Sequence, residues 1–590
     1  MYVKKSYSRG RTYLSLAQGY RQDGKVKSKT IEKLGYLDEL EKLYDDPIAH
    51  FRKIAKERTE QEKGQEKIEL LLNSTLKDNT SNRKNLGYFA VKQLYSMLGI
   101  NTFFQKRQRN LNIDFNLNGI FSLLTFNRFL YPSSKIKAFE TRDIFFESHH
   151  FSKDSMYRAL DHYETFSEAL QKHLHEQVSA QFGFDRTTGY YDVTNFYFEI
   201  PYNDENEMDE SGNIIKKGYR QKGPSKENRR TPITQMGLLM DKKGLPMAFH
   251  TFSGGASEKT SLLPVLRRVK RDFEIERMIV VADRGLNTSD NTYMLAGKNH
   301  SDSKGYDGYV YGQSIKGGDK DFKKWALDVN DFGRTVEYDE DGNEIPFVHK
   351  SRLYAKKIQI KNSKGKRNLT ETIYQKQMVY YSLKYALKQK KDREQAIEKA
   401  KDLIANPGKY NKATSVGAAS YVKNIKFIKG TGEISDASVL DLNLEKIEEE
   451  KKYDGFYSIV TSETNLTDKE MRDIYRGLWE IEESFRIMKG DFSARPVYLQ
   501  KEPRIDAHFL ICFVSLLLMR LLEMKLDYKY SVTAICESLR NYSCSYLDQN
   551  YYLFDYRDEI ICDLEKVFDI NLSKKIMSLS EIKKVLEYAK

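Results

Sequence analysis

Three carboxylates in this chain, Asp192, Asp283 and Glu482, lie among apolar and aromatic neighbours. Glu482 belongs to a stretch, Thr467 to Gly490, whose pattern predicts one continuous helix. Thr467 with Glu470 forms a capping box, and Gly490 is a natural stop. Met471, Ile474, Leu478, Ile481, Phe485 and Met488 recur at helical spacing, and Glu482 falls at the edge of that stripe. An ionised carboxylate buried without a partner costs several kcal/mol, so it is normally paired or bound to a metal. Tyr475, Arg486 and Lys489 share its face, a setting that suits a metal ion beside a phosphate backbone.

The other two acids belong to strands. Asp192 lies inside Tyr190-Tyr-Asp-Val-Thr-Asn-Phe-Tyr-Phe, rich in aromatic and β-branched residues. Asp283 ends Met278-Ile-Val-Val-Ala, an apolar run typical of a strand buried on both faces, and Arg284 follows it. Ligands gather at the carboxyl ends of such strands. Three oxygen donors suit Mg²⁺ or Mn²⁺ rather than zinc. Two such ions about 4 Å apart can activate a water or a 3′-hydroxyl and stabilise the leaving oxygen of a phosphodiester. Taken singly, each acid also has an ordinary reading. Asp192 could cap a turn or pair with a lysine, Asp283 could be a strand-end acid, and Glu482 could bridge to Arg486.

These residues require a mixed α/β sheet to hold them. Residues 1–82 read as a small β-hairpin element and a charged linker, and 83–184 as a helical, DNA-binding domain. Within 185–315, strands over Tyr190–Phe198, Ile233–Met240 and Leu245–Phe252 form a meander. A helix over Glu258–Phe273, the Asp283 strand, a helix over 289–297 and a strand over Tyr306–Ile315 follow. Residues 316–455 break this rhythm as a basic insertion, with strand-like pieces at Ser351–Ile360 and Glu371–Tyr380 and a charged helix at Leu383–Ala405. Residues 456–525 complete the core with the Glu482 helix, and 526–590 read as helical.

Composition narrows the partner. The net charge is +13, and segment 351–430 alone holds 20 Lys/Arg against 5 Asp/Glu, so the basicity is concentrated. Such a block suits a polyanion. The longest apolar run, Phe509–Met519, is too short for a bilayer and reads as a core helix. The first residues lack an apolar secretory core. Cys512, Cys536, Cys544 and Cys562 have no C-x-x-C spacing and read as reduced packing residues of a cytoplasmic protein. His173 and His175, two apart, do not share a helix face and so do not suggest a metal pair.

With these residues in view, the chain resembles the DDE transposases of bacterial insertion sequences, in the group with the signature Tyr-x2-Arg-x3-Glu-x6-Lys. The matching stretches are Tyr191-Asp-Val-Thr-Asn, Val281-Ala-Asp-Arg-Gly and Tyr475 through Lys489. Gly237 through Met247 and Arg504-Ile-Asp-Ala-His-Phe also look family-like, and the resemblance spans about 185–525. It implies an RNase H-like catalytic domain with a mainly β insertion before the Glu helix. It also implies cut-and-paste DNA transposition, in which transposon ends are cleaved and joined to target DNA. Asp192, Asp283 and Glu482 would be catalytic and hold two Mg²⁺ (or Mn²⁺) ions. Tyr475, Arg476, Arg486, Lys489, Arg284, His508 and Trp325 are the candidate DNA contacts, with Trp325 a stacking aromatic. The signature arginine is absent, because position 478 is Leu478, and Arg486 and Arg476 are its nearest substitutes. The expected partners are double-stranded DNA, as terminal inverted repeats and target, and a second copy of the chain in a homodimeric synaptic complex. No membrane is expected, and the location would be cytoplasmic, at the nucleoid. A nuclease that cuts without joining, and a catalytically decayed DNA-binding protein, are the alternatives.

Overall fold

The computed structural model describes all 590 residues except 9, 23–24, 64–74, 76–77, 79, 224–229, 297–305, 339–341, 343, 361–368, 407–416, 425–439 and 588–590. Eight cations of the basic block (Lys361, Lys364, Lys366, Arg367, Lys409, Lys412, Lys426 and Lys429) therefore lie outside the described residues, as does Gly297. The chain divides into two units. The first comprises 1–82 with 545–553 and 576–579, and the second holds the remainder.

In the first unit the expected hairpin gains a strand. β1 (Tyr2–Ser8), β2 (Arg11–Gln22) and β3 (Lys25–Tyr36) form a three-stranded antiparallel sheet. The central strand carries Leu14, Leu16 and Ala17, all wholly buried. Helix α1 (Pro47–Lys63) starts on a proline, whose missing N–H is no loss at that position. Asp46 Oδ1 caps it by accepting from the N–H groups of Ile48 and Ala49, at 3.0 and 2.9 Å.

The described residues of the second unit open with five helices of nine residues or more: α2 (Phe89–Met97), α3 (Ile100–Gln108), α4 (Leu117–Leu130), α5 (Lys153–Thr165) and α6 (Ser167–Gln181). Apolar periodicity predicts helices over 89–98, 118–131, 153–163 and 166–182, which match α2, α4, α5 and α6. The sequence pattern misses α3 because its buried residues, Ile100, Phe103 and Phe104, are helically spaced but span little more than one turn.

A nine-stranded mixed sheet follows, making the unit mixed α/β. Its strands are β4 (Thr188–Tyr197), β5 (Ile233–Asp241), β6 (Pro246–Ser253), β7 (Ile279–Ala282), β8 (Gly308–Gln313), β9 (Gly333–Tyr338), β10 (Glu344–Ile360), β11 (Leu369–Tyr381) and β12 (Phe456–Thr461). Their order across the sheet is β9-β10-β11-β12-β8-β7-β4-β5-β6. β4, β5 and β6 form the expected antiparallel meander, and β7 runs parallel to both β4 and β8. β12 returns antiparallel to β8 and is covered by β11. The strands of 316–455 thus extend the same sheet, and they are longer than their sequence pieces suggested: β10 has 17 residues and β11 has 13.

Alternation along the strands decides which face is which. Tyr191, Val193, Val280 and Ala282 enter one core with Leu262, Val265, Leu266 and Val269 of helix α7 (Leu262–Phe273). The intervening residues Asp192, Thr194, Val281 and Asp283 therefore face the other side. There the Phe196 ring meets Phe509, and the Phe249 ring meets Phe513, at centroid distances of 4.7 and 5.0 Å. Helix α8 (Leu383–Ala405) has the predicted bounds.

The Glu482 helix is two helices, not one: α9 (Asp468–Arg476) and α10 (Leu478–Lys489), broken at Gly477. The Tyr190 hydroxyl donates to the Ile474 carbonyl at 3.0 Å, and the Gly477 N–H bonds the same carbonyl at 3.2 Å. A Cβ at Gly477 would lie 2.3 Å from that hydroxyl. The strand thus takes the carbonyl that a continuous helix would give to Leu478 N–H. The capping box of Thr467 and Glu470 is present.

Helix α11 (Glu502–Lys525) contains the longest apolar run. Among the described residues it is the one helix long and apolar enough to cross a membrane, and 94% of that window is buried inside the protein, as in a core helix. The C-terminal part departs from its all-helical expectation with short strands at Ser543–Tyr546, Tyr551–Phe554 and Ile576–Ser578. The four cysteines are free thiols.

Candidate active site

The parallel register of β4 and β7 places the two aspartates. Val281 pairs with Tyr190, so two residues further along each strand Asp283 comes beside Asp192. Asp283 is still extended there (φ −68°, ψ 164°), and adjacent strands lie about 4.8 Å apart. Both acids sit on the face opposite the α7 core. They line a cavity of about 1210 Å³ together with Glu482.

Two anchors bring Glu482 over this face. On α9, the Tyr475 hydroxyl donates to Asp283 Oδ1 at 3.4 Å. Gly312 of β8 leaves room for it, since a Cβ there would come within 2.4 Å of the Tyr475 oxygen. At the far end of α10, Lys489 Nζ donates to Thr194 Oγ1 at 2.6 Å, two residues beyond Asp192 on the same face. Glu482 lies midway, seven residues from each. A third anchor fixes the back of α10. Buried Arg520 of α11 donates to Ser484 Oγ at 2.9 Å, to the Glu480 carbonyl at 3.2 Å and to Glu523 at 3.0 Å.

Glu482 itself is exposed to the cavity rather than buried, which corrects the sequence expectation. Its stripe-edge position is filled by Ile481 and Phe485 on either side, so the carboxylate turns outward. Arg486, its partner in the alternative salt-bridge reading, instead pairs with Glu483 at 2.8 Å, and Glu482 has no ion pair among the described residues. Arg486 does not line the cavity. Leu478, at the signature arginine position, does, as do Arg284 and Arg476.

Two further candidates are placed elsewhere. Trp325 packs with Phe322 and lies under the Arg352 guanidinium, 4.1 Å from its centroid, with Lys350 also over the ring at 5.1 Å. That cationic cover occupies the face a base would use. His508 is buried: its Nε2 donates to the Ala494 carbonyl at 2.9 Å, and its Nδ1 accepts from buried Lys135 at 2.5 Å. Burial pushes both the His508 and Lys135 values down. His173 Nε2 contacts the Leu98 carbonyl at 2.8 Å, a structural role.

The cavity also holds residues that sequence reading did not single out. Tyr380, Tyr457 and Tyr385 form a stack, with centroid distances of 5.3 and 4.0 Å. Trp479, whose place beside the Glu482 helix stripe suggests a packing role, is instead 55% exposed at the cavity. Lys384 and Lys388 stand one turn apart on α8, a spacing visible in the sequence once that helix is read. Among the described residues neither lysine, nor Arg284, nor Arg476, has a carboxylate partner, whereas Arg393 is held bidentately by Asp454 and Lys316 by Glu450. The cavity therefore offers unneutralised positive charge around three acids. Burial, reinforced by the Asp283 charge, raises the Tyr475 hydroxyl far above its ordinary value, so it stays protonated and donates.

The donor set, three carboxylates on one face of the cavity, has the chemistry of a hard-cation site. Among the described residues no group of three or more His, Cys, Asp or Glu side chains is arranged to hold a metal ion.

Comparison with known proteins bears on the first unit. No curated protein matches the chain. Residues 2–73 match the N-terminal domain of IS1634 family transposases, and that match supports a DNA-acting, transposase role in general terms.

Proposed function

We propose that this chain is a DDE transposase that cleaves transposon-end DNA and joins the freed 3′ end to target DNA. The observation that carries the proposal is the β4–β7 register, which sets Asp192 beside Asp283 in the cavity that also receives Glu482. Strand order supports an RNase H-like core: three antiparallel strands, then β7 and β8 parallel beside the first of them. The transposase match at residues 2–73 supports the same reading.

Asp192, Asp283 and Glu482 would hold Mg²⁺ or Mn²⁺. Bound there, divalent ions lower the pKa of an attacking water or hydroxyl and stabilise the leaving oxygen. The remaining work falls to the chain. Tyr475 holds Asp283 in one orientation through its hydroxyl. Lys489 fixes the C-terminal turn of α10 against β4, and Arg520 fixes its back. Arg284 and Arg476, exposed at the cavity, are placed to hold non-bridging phosphate oxygens, the task the absent signature arginine would share. Lys384 and Lys388 add backbone affinity on the opposite wall.

Glu482→Gln tests the reading. Strand transfer with Mg²⁺ into a supercoiled target should fall by about 10³-fold or more, the scale of losing a principal electrostatic group. End binding should persist. Transfer within a few-fold of wild type would end the proposal.

A further inference from the structure

Helix α3 presents one exposed stripe whose residues are those that read base edges. Thr102, Gln105, Lys106 and Arg109 are spaced i, i+3, i+4 and i+7, and all four are exposed. The opposite side of α3 is anchored by Phe103 and Phe104, and the Phe104 ring lies 4.6 Å from Phe121 of α4 and 5.4 Å from Tyr163 of α5. Gly99 in the left-handed conformation (φ 64°) makes the two-residue turn from α2 into α3, and His173 holds that turn through the Leu98 carbonyl. The helix is rigidly mounted, and its polar stripe is free.

Charge and partnering point the same way. Between Asn101 and Asn118 the chain carries Lys106, Arg107 and Arg109 with five asparagines and two glutamines, against a single acid, Asp114. That acid is paired with Arg158 at 3.7 Å. Arg107 is taken up over the Phe103 and Phe166 rings, whereas Gln105, Lys106 and Arg109 make no ion pair or hydrogen bond among the described residues. Two cavities, of about 340 and 480 Å³, flank α3 and share Gln105 and Asn116. An amide side chain pairs bidentately with adenine and a guanidinium with guanine, both in the major groove, which is wide enough to admit a helix. Nine residues at about 1.5 Å each make a rod of about 13 Å, enough for roughly four base pairs.

We propose that α3 reads duplex DNA sequence in the major groove, with Gln105 and Arg109 contacting base edges and Lys106 a phosphate. The inference builds on the transposase reading by assigning the sequence-recognition step to named residues outside the catalytic cavity. It is a separate claim, because binding preference does not depend on cleavage.

The test is selection of bound duplexes from a library with 20 random base pairs, using the full chain. Glu482→Gln is present in every arm, so that the readout is binding and not cutting. The parent chain should enrich a motif. Gln105→Ala and Arg109→Ala should each erase preference at one or two positions, with the affinity for the selected duplex falling by about 10- to 100-fold. Lys106→Ala should weaken all duplexes alike and lower the salt slope by about one. An unchanged motif in the Gln105→Ala/Arg109→Ala double variant would overturn the inference. So would parent binding without any motif, or preference for single-stranded DNA or RNA over duplex. In each of those cases the strand-transfer result for Glu482 stands on its own.

Discussion

At the residue scale, the hydroxyl of Tyr475 is the smallest part of the candidate site that can be removed cleanly. It lies 3.4 Å from Asp283, and its ring is held where Gly312 leaves space. Tyr475→Phe keeps the ring and deletes one charge-assisted hydrogen bond, worth about 1.5–3 kcal/mol where it is fully made. Single-turnover end cleavage should fall about tenfold, while the thermal midpoint stays within about 2 °C. A second residue-scale prediction concerns pH. Asp506 accepts hydroxyl protons from Tyr219 and from Thr251, the latter at 2.7 Å, and burial pushes its carboxyl up to about 6. Below the ordinary value near 3.8 the folded and unfolded chains both carry the proton, and no penalty exists. As pH rises from there to about 6 the unfolded chain ionises first, so stability is lost through that window and stays lost above it. Asp506→Asn keeps the oxygen that both hydroxyls use and abolishes the titration. Relative to wild type it should gain on the order of 2 kcal/mol between pH 4 and pH 7.5 in denaturant unfolding. Parallel pH profiles would refute this. The strand positions of Asp192 and Asp283 were legible in the sequence because acids inside or at the end of apolar strand runs are rare. The outward turn of Glu482 was not, because a one-residue difference at a stripe edge depends on how the helix is seated.

At the element scale, α10 is the piece whose placement matters most. Arg520 of α11 donates to two acceptors on α10 and to Glu523 on its own helix, and its side chain is 5% exposed. Arg520→Met would leave Glu523 buried without its cation and free the Ser484 end of α10. Breaking a buried pair from one side costs about 3–5 kcal/mol. The thermal midpoint should drop by several degrees, and a midpoint equal to wild type would show that the network is dispensable. The division of α9 from α10 was invisible in sequence. Helical periodicity runs straight through Gly477, and the competing bond comes from Tyr190, 284 residues earlier. α3 was missed for the opposite reason, too little periodicity in nine residues. The charged helix α8 was read to the residue, whereas α7 begins at Leu262, four residues later than its amphipathic pattern suggested.

At the scale of the whole molecule, the excess positive charge is concentrated in 351–430, and four cations without a carboxylate partner among the described residues line the cavity. Affinity for a duplex should therefore fall by at least tenfold between 50 and 200 mM salt, roughly the loss expected when several phosphates release their counterions. Salt-independent binding, measured by fluorescence anisotropy, would rule out this role for the basic block. The order of strands was partly legible: a meander followed by a buried strand was read from patterning alone. What patterning could not convey is that the strands of 316–455 join the same sheet, because edge pairing is decided by partners distant in sequence.

That continuity has an engineering consequence. β12 is held between β8 and β11, and from Ser458 to Thr461 it is buried. Excising 316–455 to obtain a minimal catalytic fragment would strip β11 away and leave the backbone donors and acceptors of an apolar strand unpaired along an open edge, the usual starting point for chain-to-chain stacking. A truncation series aimed at a smaller protein must therefore keep β11 or cap β12 with a replacement strand. In this sense 316–455 is not a detachable module but part of the scaffold.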